Sequence, residues 1–157
     1  MKIKIIAVGK IKVEYLRDAI NEYKKRLKKF CDIEILEIAE SVAKTENEAN
    51  IKKVLGVEGK EILKSIVSDY VIALDINGKE YTTLELAKKF NEIKVSGKSE
   101  ITFIIGGSYG LDDEVKKKAD FKLSFSKLTF PHQLFRVILL EQIYRIFKIE
   151  NNEPYHK

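Results

Sequence analysis

The sequence predicts one α/β domain over residues 1–157, with a mostly parallel sheet and helices on both of its faces. Three observations lead there. The strand-like runs "YVIALDI" and "EITFIIGG" are continuously apolar, as strands covered on both sides are. Segments of helical period alternate with the strand-like runs, the order of a β-α-β sheet. No linker, internal repeat or low-complexity tract divides the 157 residues.

Each element follows in turn. "KIKIIAV" and "DIEILEI" are rich in β-branched residues and read as strands. Between them "VEYLRDAINEYKKRLKKF" spaces Leu16, Ile20, Tyr23, Leu27 and Phe30 by threes and fours, the stripe of an amphipathic helix. After the polar stretch "AESVAKTENEAN", "IKKVLGVEGKEILKSIV" reads as a helix that Gly56 and Gly59 weaken. "YVIALDI" is a buried strand, ended by the turn signal at Asn77 and Gly78, and "TTLELAKKFNEIK" opens a helix with a capping Thr and Glu85 in its first turn. "EITFIIGG" runs into the Gly-rich turn "GGSYG" and the short helix "LDDEVKKKA". "FKLSFS" reads as a last short strand before a long helix from about Pro131 to Ile149.

Composition narrows the function. A chain of this size buries roughly two thirds of its unfolded surface, so it needs no staples. The single Cys31 forms no internal disulfide, and no His or Cys cluster has metal-ligand spacing, so a reducing cytoplasm is the expected setting and no metal is expected. The opening "MKIKIIAVGK" is too short an apolar run for a signal peptide or a membrane span. The net charge of +5, from 29 basic and 24 acidic residues, is moderate and reads first as solubility. Only four of the basic residues are arginines, and Arg136 and Arg145 share one apolar stretch. Both histidines and both prolines fall from Pro131 onward.

Four places carry candidate chemistry. Gly106, Gly107 and Gly110 in "FIIGGSYGLD" follow a buried strand, where bare backbone approaches a ligand closely; the spacing is neither a dinucleotide fingerprint nor a phosphate loop, so a tight structural turn is an equal reading. Asp75 either accepts from a ribose or caps the turn at Asn77, and Leu74 beside it is equally a core residue. The last helix has no polar stripe and is expected to be buried all round, partly against a second copy of the chain. Within it Glu141 and Arg145 can pair at i, i+4, whereas His132 and Arg136 have no acidic partner in the segment, a gap that an anion, phosphate or nucleotide would fill, the other reading being a structural histidine with a partner elsewhere in the chain. Finally Tyr155, His156 and Lys157 combine an aromatic face with donors suited to RNA, in what is otherwise a frayed tail.

Together "IAVGK", "LDINGK", "FIIGGSYGL", "LSFSKLTFPHQLFRVILLEQIYRIFKI" and "PYHK" resemble the ribosomal RNA large subunit methyltransferase H family, over the whole chain. The resemblance implies a minimal SPOUT-class α/β fold whose carboxyl-terminal segment threads into a trefoil knot, working as a cytoplasmic homodimer. It implies methyl transfer from S-adenosylmethionine to N3 of a pseudouridine in the helix 69 loop of 23S rRNA in the assembled ribosome. It carries cofactor binding onto Leu74, Gly106, Phe125, Ser126, Lys127, Leu128, Thr129 and Phe130, and RNA contact onto Arg145, Tyr155, His156 and Lys157. His132 and Arg136 beside the cofactor loop are the candidates for proton handling and for stabilising the developing anion; no residue is unambiguously the base. A catalytically silent RNA-binding dimer and an α/β hydrolase using His132 are the other two classes, and neither accounts for the full motif set.

Overall fold

The computed structural model describes residues 1–155; His156 and Lys157, both expected at the RNA, lie outside the described residues. Ten elements follow in order: β1 (Lys2–Val8), α1 (Glu14–Leu27), β2 (Asp32–Ile38), α2 (Glu48–Ser65), β3 (Tyr70–Glu80), α3 (Thr83–Val95), β4 (Glu100–Ile105), α4 (Asp113–Lys118), β5 (Phe121–Ser124) and α5 (His132–Glu150). The strands form one parallel sheet in the order β2-β1-β4-β3-β5.

Period-two alternation along the central strands explains why both faces are covered. Ile3, Ile5 and Ala7 of β1, with Ile101, Phe103 and Ile105 of β4, enter one core beneath α1, α3 and α5. Ile6, Val8 and Ile104 enter a second core with Ile62 of α2 and Val115 of α4. The helix starts are locally encoded. Asn47 and Asp112 accept from amides of the first turns of α2 and α4, and Thr82 and Glu85 form the reciprocal capping box of α3.

One expectation about the sheet is corrected. Asn77 and Gly78 do not end a strand: β3 continues through them, and residues 75–78 bulge out between two pairings with the same partner, Leu74 with Leu123 and Lys79 with Leu123. A β-carbon on Gly78 would stand 2.7 Å from the Lys122 carbonyl carbon, so the glycine serves close backbone approach rather than a hairpin turn. Within one chain α5 is covered on the side of its own domain, and the remainder is the part that the sequence assigns to a second copy. Arg136, Leu139, Leu140, Ile143, Ile146 and Phe147 are buried between α1 and α3, while Leu134 is 37% exposed and Val137 and Ile138 are half-buried.

Candidate active site

The bulge of β3 and the carboxyl ends of β4 and β5 open onto one cavity of about 430 Å³, on the side of the sheet where open α/β folds bind ligands. Its first wall is the glycine loop after β4. The Gly110 amide donates to the Gly107 carbonyl at 3.1 Å, and Gly110 takes a left-handed φ of +86°. A β-carbon on Gly106 would run into the Gly110 carbonyl, so the loop closes only around bare backbone.

The second wall is Leu74 and the bulge of β3. Asp75 accepts from the Asn77 amide at 3.1 Å and faces Lys116 at 3.4 Å, so it braces the bulge, as its capping reading has it. The third wall runs from β5 into α5. The Ser126 hydroxyl accepts from the Leu128 amide at 3.0 Å, and Phe125 and Phe130 pack on Phe135 with ring centroids 4.9 and 5.8 Å away. Leu74, Gly106, Phe125, Ser126, Leu128, Thr129 and Phe130 all line the cavity. Lys127 is exposed and does not line it.

His132 and Arg136 part company here. His132, in the first turn of α5, faces the cavity, and its Nε2 would be 3.4 Å from a β-carbon on Gly9. Arg136, one turn on, is fully buried and lies outside this cavity. A bound anion or nucleotide is its expected partner; the partner is instead the chain's own Glu37 of β2, 2.7 Å from its Nη1, and its Nη2 donates to the carbonyls of Val8 at 2.9 Å and Gly9 at 2.6 Å. Burial pulls the Arg136 guanidinium below its ordinary pKa, and Glu37 works against that fall.

The other end of α5 forms a separate cluster. Glu141 pairs with Arg145, as the i, i+4 spacing implies, and accepts from the Tyr155 hydroxyl at 3.3 Å. Tyr155 packs edge-on against Tyr144, with the Arg145 guanidinium 4.9 Å from its ring centroid. Thr83 donates to Gln142 at 3.0 Å and ties α3 to this helix. Tyr155 is therefore docked rather than frayed, and neither it nor Arg145 lines the cavity.

Sequence reasoning missed Phe135 and Lys116 in the lining, and Glu58 behind Gly107 of the glycine wall. Phe135 lies one turn from His132, a spacing that could have flagged it. Glu58 is 4% exposed and shares a helix face with Val54 and Ile62, so a charge at an apolar position was the available signal. Among the described residues no group of three His, Cys, Asp or Glu side chains could hold a metal ion, and no helix is long and apolar enough to cross a membrane.

A family model described as predicted SPOUT methyltransferase matches residues 1–156. A relative from Methanococcus maripaludis is 56% identical over 159 residues, covering all of both chains. A relative from Clostridium perfringens, named ribosomal RNA large subunit methyltransferase H, is 52% identical over 161 residues, again covering all of both; the Methanococcus protein carries the same name provisionally. Among solved structures, a methylase family protein of Haemophilus influenzae aligns with a TM-score of 0.55 at 16% identity, over 99% of this chain and 70% of its own. A Legionella pneumophila protein solved with the bound cofactor SAM aligns with a TM-score of 0.51 at 9% identity, over 96% of this chain and 66% of its own. These two likenesses are of fold.

Proposed function

The chain belongs to the SPOUT methyltransferase family, and from that premise we propose that it methylates large-subunit ribosomal RNA, transferring a methyl group from S-adenosylmethionine to N3 of a pseudouridine in the helix 69 loop of the assembled ribosome. The observation that carries the reading is the cavity, with its bare glycine wall on one side and His132 on the other. The name of the full-length Clostridium relative supports ribosomal RNA as the substrate class.

The cavity suits S-adenosylmethionine by its donor set. Leu74, Leu123, Phe125 and Leu128 offer an apolar slot for an adenine, and the glycine loop and the 125–130 loop offer backbone groups to its edges. When bound, the cofactor supplies a methyl already activated by a sulfonium centre. What remains for the protein is alignment and help with the imide proton. His132 faces the cavity and handles that proton. Arg136 acts through position: by gripping the Val8 and Gly9 carbonyls it fixes the first turn of α5, and so His132, against the end of β1.

Arg145, Tyr155, His156 and Lys157 hold the RNA. Because Arg145 and Tyr155 stand away from the cavity of their own chain, the proposal includes a homodimer in which one protomer's tail serves its partner's cavity. The half-open apolar strip Leu134, Val137 and Ile138, with Tyr15 at 71% exposure, supports that second copy. The same reading includes the carboxyl-terminal trefoil knot and a cytoplasmic setting.

The test is transfer of labelled methyl from S-adenosylmethionine to ribosomes lacking the modification and to naked RNA. Label in intact ribosomes only is expected, at one pseudouridine. Binding to ribosomes with no transfer would replace the enzyme by a silent RNA-binding dimer.

A further inference from the structure

The glycine loop owes its position to something behind it. It has few side chains of its own to pack, and the contact within it joins Gly107 to Gly110. The segment between β2 and α2, residues 39–47, crosses its outer side and holds it by carboxylates. The Ser108 hydroxyl donates to Glu40 at 3.0 Å, and the Tyr109 hydroxyl donates to Glu46 at 3.1 Å.

That segment is in turn hung from α2. Buried Glu58 accepts from the Ser41 amide at 2.8 Å through Oε1. Its Oε2 backs the loop directly, since a β-carbon on Gly107 would stand 3.5 Å from it and 2.9 Å from Val8 Cγ1. The next residue, Gly59, lets α2 close on the far end of the loop: a β-carbon there would stand 2.8 Å from the Asp112 β-carbon. Gly107, Ser108 and Tyr109 of the loop, and Asp112 just beyond it, thus rest on α2 and the segment hung from it.

The geometry points to Glu58 as a positioning residue for the cofactor wall, acting through the 39–47 segment on Ser108 and Tyr109. This rests on the reading of the cavity as the S-adenosylmethionine pocket. Glu58 touches no ligand; it decides whether the wall is already in place when the ligand arrives, and a preformed wall binds more tightly than one that must be ordered.

The experiment is calorimetric titration of the full chain with S-adenosylmethionine, alongside hydrogen exchange of the Gly110 amide in the ligand-free protein. Glu58→Ala is expected to raise Kd about tenfold and to speed Gly110 exchange, whereas Glu58→Gln, whose amide oxygen still accepts from Ser41, stays within about twofold. Ile62→Val, on the same buried face of α2, is the stability control: it lowers Tm and leaves Kd and exchange alone. Should Glu58→Ala not fold, Glu40→Ala and Tyr109→Phe each remove one tie from the surface and are each expected to raise Kd about threefold. Unchanged Gly110 exchange and unchanged Kd in these variants would overturn the inference. A wild-type chain that binds no S-adenosylmethionine, while Glu58→Ala still loosens Gly110, would sink the functional reading and leave the positioning role standing.

Discussion

Arg136 and Glu37 meet at 2.7 Å, a fully buried guanidinium from α5 against a carboxylate of the edge strand β2. The pair joins the last helix to the first β-α-β unit, and two backbone carbonyls complete the cage on Nη2. Removing one side of such a pair differs sharply from replacing both.

Arg136→Ala should therefore cost about 3 kcal/mol, from lost packing and from two buried carbonyls left without a donor. Glu37→Gln should cost less, roughly 1–2 kcal/mol, because water reaches its side chain, which is 32% exposed. Urea denaturation midpoints check both, and equal losses would contradict the asymmetry.

His132→Ala should leave S-adenosylmethionine affinity within about threefold and cut methyl transfer by about a hundredfold or more. Single-turnover transfer to unmodified ribosomes separates the two effects. Transfer at the wild-type rate would remove His132 from the chemistry.

Two glycines should respond in opposite directions. Gly106→Ala forces a methyl into the Gly110 carbonyl and should abolish cofactor binding. Gly56→Ala, on α2 with nothing within 4 Å of the new carbon, should stabilise the protein by about 0.5–1 kcal/mol. Thermal melts with and without cofactor read both.

Burial pushes the Glu58 carboxyl above its ordinary 4.5, with the Ser41 amide opposing and Glu40 adding to the rise. The folded state then holds this proton more tightly than the unfolded state. The contribution is fully present below pH 4.5 and is lost as pH rises through the folded value. Glu58→Gln carries no such charge, so its stability advantage over the wild type should be largest near neutrality and shrink toward pH 4.5. An advantage that is flat with pH would contradict the ionised, desolvated carboxylate.

Much of this was legible in the sequence because it was local. The capping box at Thr82 and Glu85, the apolar runs of β3 and β4 and the helical stripe of α1 each state their conformation within a dozen residues. The cavity lining at 125–130 was reached through resemblance, since "SKLTF" has no periodicity to read. What stayed hidden depends on distance along the chain. Arg136 lies 99 residues from Glu37, and Ser108 lies 68 residues from Glu40, so neither partner follows from spacing. The bulge at 75–78 was misread because "NG" has the same local signature whether the chain turns back or merely bows outward around a neighbour's backbone.

The order of the sheet also sets a timetable for synthesis. β1 is made first yet is sandwiched between β2 and β4, so Ile3 and Ile5 wait for Ile101 and Phe103 to emerge before that flank is paired. The nascent chain thus carries a half-finished central strand until β4 has emerged, a stage at which chaperone binding competes with misassociation. When Gln133 arrives to accept from the Lys12 amide and Arg136 to grip the Val8 and Gly9 carbonyls, α5 becomes tied to the segment that follows β1.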